Sequence, residues 1–144
     1  HRTTFLCIDA AEVGWRRRTH AQGVEGVIEE YRVPVSDADR TMAGLALHLV
    51  GARTGAAPER MKGRGRLDPR NCRARWLAMY LTHVSFGWSL EHVAHAFGLN
   101  RATASTACRW AEDERDRPAM DALLTELEAC IQAVTAGARV EIAA

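Results

Sequence analysis

Long apolar runs, paired cysteines and lysine are all scarce in this chain of 144 residues. No apolar run approaches the roughly 18 residues that cross a bilayer, so we expect no transmembrane segment. The cysteines stand singly, without the paired spacing that most zinc sites show. The phosphate-binding pattern G-x-x-x-x-G-K followed by Ser or Thr is also missing, so no nucleotide partner is expected. The sequence therefore predicts neither a metal nor a cofactor, and no membrane partner.

Two further absences concern the compartment. No apolar stretch follows Arg16–Arg18, so the pattern of a secretory leader is not seen. With 47% apolar residues, a chain of this length can form a core without disulfide support. We expect a cytoplasmic, nucleoid-associated protein with reduced thiols at all four cysteines, Cys7, Cys72, Cys108 and Cys130. Cys108 is expected in the core and not in a catalytic role.

Charge is unevenly distributed along the chain, although the net charge is only +1. Residues 53–75 carry eight basic side chains against Glu59 and Asp68, a local charge of +6. Residues 112–128 carry seven acidic side chains against two arginines, and we expect these acids to lie on solvated helix surfaces. The basic segment, residues 53–75, is a candidate contact for a polyanion.

Helical periodicity dominates the chain after residue 35. Apolar spacing and capping residues predict helices over 37–52, 69–86, 90–97, 101–114 and 118–136, and a flexible basic loop over 55–65. The fold class is therefore all-α: a small helical bundle with an N-terminal helical extension. We assign residues 1–56 to that extension, 57–137 to the main domain and 138–144 to a tail, while residues 1–35 have no readable pattern.

The helices predicted over 90–97 and 101–114 are typical of a helix-turn-helix, with Gly98 at the turn. Such motifs place the start of their second helix against base edges in the major groove of DNA. The second helix carries short or hydrogen-bonding side chains suited to that contact, Arg101, Thr103, Ser105 and Thr106. A helical hairpin that only completes a bundle is the alternative interpretation.

Four blocks of sequence, spread over about residues 60–130, resemble the C-terminal DNA-binding domain of the replication initiator DnaA. They are the run from Arg73 to Leu81 (RARWLAMYL), Ser89-Leu90, Ala96-Phe97-Gly98 and Ala107-Cys108-Arg109. That domain belongs to the Trp-repressor-like helix-turn-helix folds. The resemblance implies binding of double-stranded DNA through two grooves.

Site residues follow from this resemblance. It implies that Arg64 and Arg66 enter the minor groove from the basic loop. It further implies that phosphates are held by Arg70, Arg73 and Arg75, and we add Ser89, Leu90 and His83 to the DNA face. The family's acidic-His-Thr-Thr cluster is replaced here by Asn100, Arg101, Ala102 and Thr103, in a turn one residue shorter. A different base preference is therefore expected, with Arg101 suited to guanine.

The absence of an ATP-binding loop separates this chain from an initiator. We expect a sequence-specific transcription regulator that is not an enzyme, and that works as an activator with RNA polymerase or a sigma-like protein on its N-terminal segment. The alternatives are a replication regulator at initiator-like sites and a protein-interaction adaptor that no longer touches DNA. The apolar stripe 120-124-127-131-134 either completes the bundle or docks a partner. His92 and His95 are expected to be solvated.

Overall fold

The computed structural model describes residues 33–62 and 66–143, and within them the chain is entirely α-helical. Of the predicted features, Arg64 and the segment 1–32 lie outside the described residues. The helices are α1 (Asp37–Thr54), α2 (Pro58–Met61), α3 (Pro69–Phe86), α4 (Leu90–Ala96), α5 (Arg101–Glu114) and α6 (Pro118–Thr135). The predicted all-α bundle is confirmed.

Capping residues in the sequence set the helix limits. Ser36 and Asp39 form a reciprocal capping box at the start of α1, with N···O distances of 3.1 and 3.2 Å. The Asp68 carboxylate accepts a hydrogen bond from the backbone N–H of Asn71 at 2.9 Å, and Pro69 occupies the first helical position of α3. These side chains satisfy backbone donors that a helix start leaves unpaired, which fixes where each helix begins.

The central helix is α3, which packs against each of the other helices. Trp76, Ala78, Met79 and Leu81 are fully buried on it. One side of α3 contributes to a core with α1 and α6, and the other side to a core with α4 and α5. The sequence prediction that this helix is buried around most of its circumference is confirmed, because both apolar stripes are covered.

The N-terminal helix α1 covers the outer side of α3. Ala46, Leu47 and Val50 of α1 are buried in the same cluster as Leu77 and Leu81 of α3. The apolar face of α1 is therefore occupied inside the molecule, and only its polar face is available to a partner. The domain boundary at residues 56 and 57 stays a prediction.

The predicted flexible loop is wrong at residues 58–61, which form the short helix α2. Met61 of α2 is fully buried in the core between α1 and α3. Its apolar side chain anchors the middle of the basic segment, which local glycine and arginine content did not reveal.

The last helix completes the bundle. Leu124, Leu127 and Ile131 of α6 are buried, and Met120 and Leu123 pack beside them. The stripe predicted for α6 is therefore core from residue 120 to residue 131, and its docking role is not available there. Val134, the last member, is 65% exposed.

Most acidic residues of the segment 112–128 are exposed, as predicted, but two of them are bound by Arg115. The Arg115 guanidinium donates to Asp121 at 2.7 Å, to Glu128 at 2.8 Å and to the Tyr80 hydroxyl at 3.2 Å. These hydrogen bonds, that of Asp121 first, raise the pKa of Arg115. Tyr80 in turn donates to Glu112 at 2.8 Å. The network ties α3, α5 and α6 together.

Among the three cysteines that the structure describes, Cys72 departs from the expectation of reduced thiols. Cys72 on α3 is disulfide-bonded, whereas Cys108 and Cys130 are free. A pairing between isolated cysteines depends on their approach in three dimensions, so spacing along the chain carried no sign of it. Cys108 is buried as predicted, and burial raises the pKa of its thiol to about 11.

Candidate nucleic-acid interface

The turn between α4 and α5 is closed by a glycine in the left-handed region. Gly98 has φ +72°, its N–H donates to His95 O at 3.1 Å, and the N–H of Leu99 donates to Ala94 O at 2.7 Å. This pair of bonds is a Schellman motif, which satisfies the last carbonyls of a helix and reverses the chain sharply. The predicted role of Gly98 is confirmed, and the turn sets the angle at which α5 leaves α4.

Small buried side chains let α4 and α5 approach closely. Ala94 on α4 and Ala104 and Ala107 on α5 are fully buried together with Val93. Their packing fixes the rotation of α5 about its own axis, because the alanine face must point at α4. The opposite face of α5 is thereby turned outwards.

The outward face of α5 has an arginine at each end and small side chains between. Arg101 and Arg109 are exposed, and the residues between them on this face are half-buried: Ala102, Ser105 and Thr106. Thr106 donates its hydroxyl hydrogen to Ala102 O at 3.0 Å, inside its own helix. Arg109 was missed as a site residue, although its spacing of eight from Arg101 and four from Ser105 places all three on one face.

Asn100 and Thr103 are engaged with each other, which corrects their predicted role as base readers. Asn100 Oδ1 accepts from the Thr103 backbone N–H at 2.9 Å and from the Thr103 hydroxyl at 3.0 Å. Thr103 is only 2% exposed. Thr103 is buried like its neighbours Ala104 and Ala107, so its side chain donates to the Asn100 cap and does not reach the surface.

Arg101 is held by a carboxylate of the neighbouring helix. Its Nε lies 2.5 Å from Glu91 Oε1 on α4, and the arginine side chain remains 52% exposed. The pKa of Glu91 is lowered by a hydrogen bond from its own backbone N–H and by the Arg101 charge. Exposed pairs of this kind are worth about 0–1 kcal/mol, so a phosphate or a base can compete for the guanidinium.

Three of the arginines predicted to contact DNA lie at or just before the start of α3: Arg66 for the minor groove, and Arg70 and Arg73 for phosphates. Arg66 and Arg70 are exposed and Arg73 is half-buried. Arg70 donates through Nη2 to Thr54 O at 2.9 Å, capping the C-terminal end of α1. Arg70 and Arg73 also line a cleft together with Trp110 of α5, which brings them beside the C-terminal half of that helix.

Arg75 does not belong to this exposed group, which corrects its predicted role. It is 6% exposed, and desolvation lowers the pKa of its guanidinium to about 10. Two residues after Arg73 on a helix, it is rotated by about 200° and faces the interior. A phosphate could reach Arg75 only after the surrounding structure moved.

The remaining predicted contacts lie around the start of α4. Ser89 is exposed and its Oγ accepts from the His92 N–H at 3.1 Å, which caps α4, while its side chain also hydrogen-bonds the Glu91 carboxylate. Leu90 is half-buried and packs against both core clusters, so its role is in packing. His83 is half-buried, with Nδ1 2.6 Å from Trp88 O, so this nitrogen donates to the carbonyl.

His92 and His95 join α4 to the start of α1, and the expectation that both are solvated is wrong. His92 Nε2 lies 3.1 Å from Asp39 Oδ2, and the ring stacks on Trp88 with centroids 4.3 Å apart. His95 Nδ1 accepts a hydrogen bond from the Val33 N–H at 3.0 Å. These contacts give both rings structural partners.

In residues 33–62 and 66–143, no group of three His, Cys, Asp or Glu side chains is arranged to hold a metal ion. No helix in the same part of the chain is long and apolar enough to cross a membrane.

A scan against protein-family models gives no match, and searches of curated proteins and of solved structures find no relative.

Proposed function

We propose that this protein is a sequence-specific, double-stranded DNA-binding transcription regulator of the DnaA helix-turn-helix type. The observation that carries this proposal is the outward face of α5, where Arg101 and Arg109 bracket small polar side chains. A helix of this kind can enter the major groove, because small residues permit close approach and arginines can bond to guanine edges or phosphates.

The arginines at the start of α3 suit the phosphate backbone. Arg70 and Arg73 lie beside Trp110 of α5. Trp110 follows Arg101 by nine residues, which corresponds to about 13 Å along the axis of α5. That separation is comparable to the major-groove width of about 12 Å. We assign phosphate contacts to Arg70, Arg73 and Ser89, and minor-groove contacts to Arg64 and Arg66 from the resemblance.

The assignment of base readers differs from the sequence prediction. Arg101, Ser105, Thr106 and Arg109 replace the group that included Asn100 and Thr103, since those two side chains are occupied in the cap of α5. Arg75 leaves the phosphate group because it is buried. Within the described part of the N-terminal segment, the exposed polar face of α1 is the surface that an RNA polymerase or sigma-like partner could use.

Selection of bound sequences from random duplex DNA at about physiological salt tests the proposal, because that salt already weakens non-specific binding. An enriched motif is expected. The Arg101→Ala variant should lose preference at one or two positions, whereas Arg70→Ala should weaken binding to all sequences and reduce the salt slope by about 1. Arg117→Ala, on an exposed arginine paired with Glu114, is the control and should do neither.

The same selection can contradict the proposal. If no motif is enriched and the binding disappears as salt rises, the chain does not read sequence by itself, and the adaptor alternative is favoured. Where a motif is found, its occupancy in the genome separates the two DNA functions. Promoter sites support a transcription regulator with nucleoid localisation, and origin-proximal sites indicate a replication regulator.

A further inference from the structure

We propose that a pocket between α1, α2 and the end of α4 is a docking site for an acidic segment of a protein partner that inserts one apolar side chain. The pocket has a volume of about 220 Å³. Sites for whole small ligands typically measure about 300–1,000 Å³. The smaller volume therefore suits a single side chain of a larger partner. We call it the α1–α4 pocket.

Apolar side chains make up most of the lining of the α1–α4 pocket. Ala43 and Leu47 of α1, Met61 of α2 and Phe97 after α4 line it. The first three are buried in the protein, and Phe97 packs against both core clusters. A lining held by the core in this way is preformed, so an entering side chain does not have to order it. Pockets that bury one anchoring side chain carry much of the binding energy of protein interfaces.

Gly44 keeps one side of the α1–α4 pocket open. It lines the pocket, and a Cβ added to it would meet no atom within 4 Å. Gly44 lies four residues after Arg40 and three before Leu47, so all three share the face of α1 that borders the pocket. A larger side chain at this position would therefore take up pocket space without displacing its neighbours.

The charged side chains that line the α1–α4 pocket are both basic. They are Arg40 of α1 and Lys62, which follows α2, and both are exposed. Within residues 33–62 and 66–143, neither side chain has a hydrogen bond or an ion pair. Two positive charges beside an apolar pocket are complementary to carboxylates that flank an apolar side chain.

Carboxylates on the surrounding helices do not balance this charge at the pocket. Among the described residues, no Asp or Glu lines it. Asp39 of α1 is held by the Ser36 N–H and by His92, and Glu91 of α4 is held by Arg101. The remaining acids of α1 and α2 are exposed and outside the lining: Asp37 and Glu59.

A protein segment fits the α1–α4 pocket better than the DNA backbone does. A phosphate has no apolar group to place against Leu47, Met61 and Phe97. The elements assigned to DNA, α5 and the start of α3, contribute no residue to the lining. The pocket borders the exposed face of α1, which is the surface open to a partner. The role of that partner in transcription rests on the proposed function, whereas binding of an acidic peptide does not.

Selection of short random peptides displayed on phage, with the full chain as the target, tests the pocket. We expect enrichment of peptides in which Asp or Glu flanks one bulky apolar residue. An enriched peptide is then synthesised with a fluorescent label, and anisotropy compares the protein with its variants. Replacement of the apolar residue of the peptide by Ser, or of its acids by Asn and Gln, should each weaken binding.

Variants of the pocket separate steric from charge recognition. Gly44→Leu should weaken the peptide at least about 10-fold by filling the pocket, whereas Gly44→Ala, the matched control in the same helix, should have a much smaller effect. Arg40→Gln and Lys62→Gln should each weaken it about 3- to 5-fold, the range of an exposed ion pair. Arg117→Gln removes a charge away from the pocket and should leave the affinity unchanged.

Several results would overturn the proposal. They are a selection without acidic peptides, and an affinity that stays the same in a Gly44→Leu variant that melts no lower than the protein. If Gly44→Leu does not fold, unchanged affinity in Arg40→Gln and Lys62→Gln has the same meaning. A loss of duplex DNA binding in these two variants as large as in Arg70→Ala would assign the pocket to phosphates instead. Peptide binding without selection of a DNA sequence leaves the pocket standing and the proposed function wrong, and DNA selection without peptide binding gives the reverse.

Discussion

Arg101 at the start of α5 is tied to Glu91 on α4, with Nε 2.5 Å from Oε1. An exposed arginine of the proposed recognition helix is therefore paired within its own protein. In the proposed function, Glu91 competes with DNA for this arginine.

We expect Glu91→Gln to tighten DNA binding about 3- to 10-fold, because it removes a competing carboxylate worth about 1 kcal/mol from beside Arg101. Fluorescence anisotropy with one labelled duplex at constant salt measures the change. Asp113→Asn removes the same charge from an exposed position near the other end of α5 and serves as the control. An equal gain from both variants would indicate an effect of net charge alone and not of the Arg101 pair.

Removal of Arg115 is expected to lower the stability of the fold more than removal of its neighbour Arg117. Arg115→Ala should lower the free energy of unfolding by about 1–2 kcal/mol, because it removes the hydrogen bonds to Glu128, Tyr80 and the more exposed Asp121 in one partly buried network. Arg117→Ala should change it by less than about 0.5 kcal/mol, since that side chain is 66% exposed. Urea denaturation of both variants makes the comparison, and similar losses would show that the Arg115 network does not stabilise the fold.

The two glycines Gly98 and Gly44 predict opposite effects of one substitution. Neither has an atom within 4 Å of an added Cβ, but Gly98 has φ +72° and Gly44 lies inside α1. Gly98→Ala should cost about 1–2 kcal/mol from backbone strain alone. Gly44→Ala should stabilise the protein by about 0.5–1 kcal/mol through helix propensity. Thermal unfolding of the two variants distinguishes them, and a shift of the same sign in both would contradict the assignment of the turn.

Cys108 predicts a loss of stability at high pH. Burial raises the pKa of its thiol from 9.0 to about 11, so the folded state keeps a proton that the unfolded state releases between these values. The stabilisation is therefore complete below about pH 9 and is lost as the pH rises to about 11. The measurement is the difference in unfolding free energy between the protein and Cys108→Ala across this range. A constant difference would show that the thiol titrates normally.

Thiol labelling gives an independent check on the same residue. Cys130 is free and exposed on α6, whereas Cys108 is free and buried. A maleimide should modify Cys130 in the native protein and Cys108 only after unfolding, since the thiolate is the reacting form. Rapid modification of Cys108 under native conditions would mean that α5 opens readily from α3.

Helix positions were predictable because their signals are local. The limits of α3 and α5 agree with the sequence prediction, and α1, α4 and α6 differ from it by one or two residues. Each predicted capping residue, at Ser36, Asp68, Ser89 and Asn100, makes its cap hydrogen bond within three residues. Such contacts require no knowledge of the rest of the molecule.

The candidate site was less predictable because exposure depends on packing between helices. Arg73 and Arg75 look alike in the sequence, but one lines a cleft and the other is buried. Thr103 was expected at the surface and is 2% exposed, while Arg109 is exposed and was not expected in the site. The rotation of each helix about its axis decided these outcomes.

The sequence by itself determined an all-helical chain, the ends of its main helices and the concentration of positive charge between residues 53 and 75. Those properties follow from caps, periodicity and composition, which act over a few residues. Tertiary structure alone decided that Met61 anchors the basic segment, that Glu91 holds Arg101, and that Arg70 and Arg73 meet Trp110 in a cleft. Each of these contacts joins residues from different elements, or buries a side chain against them, and close packing of the helices around α3 brings them together.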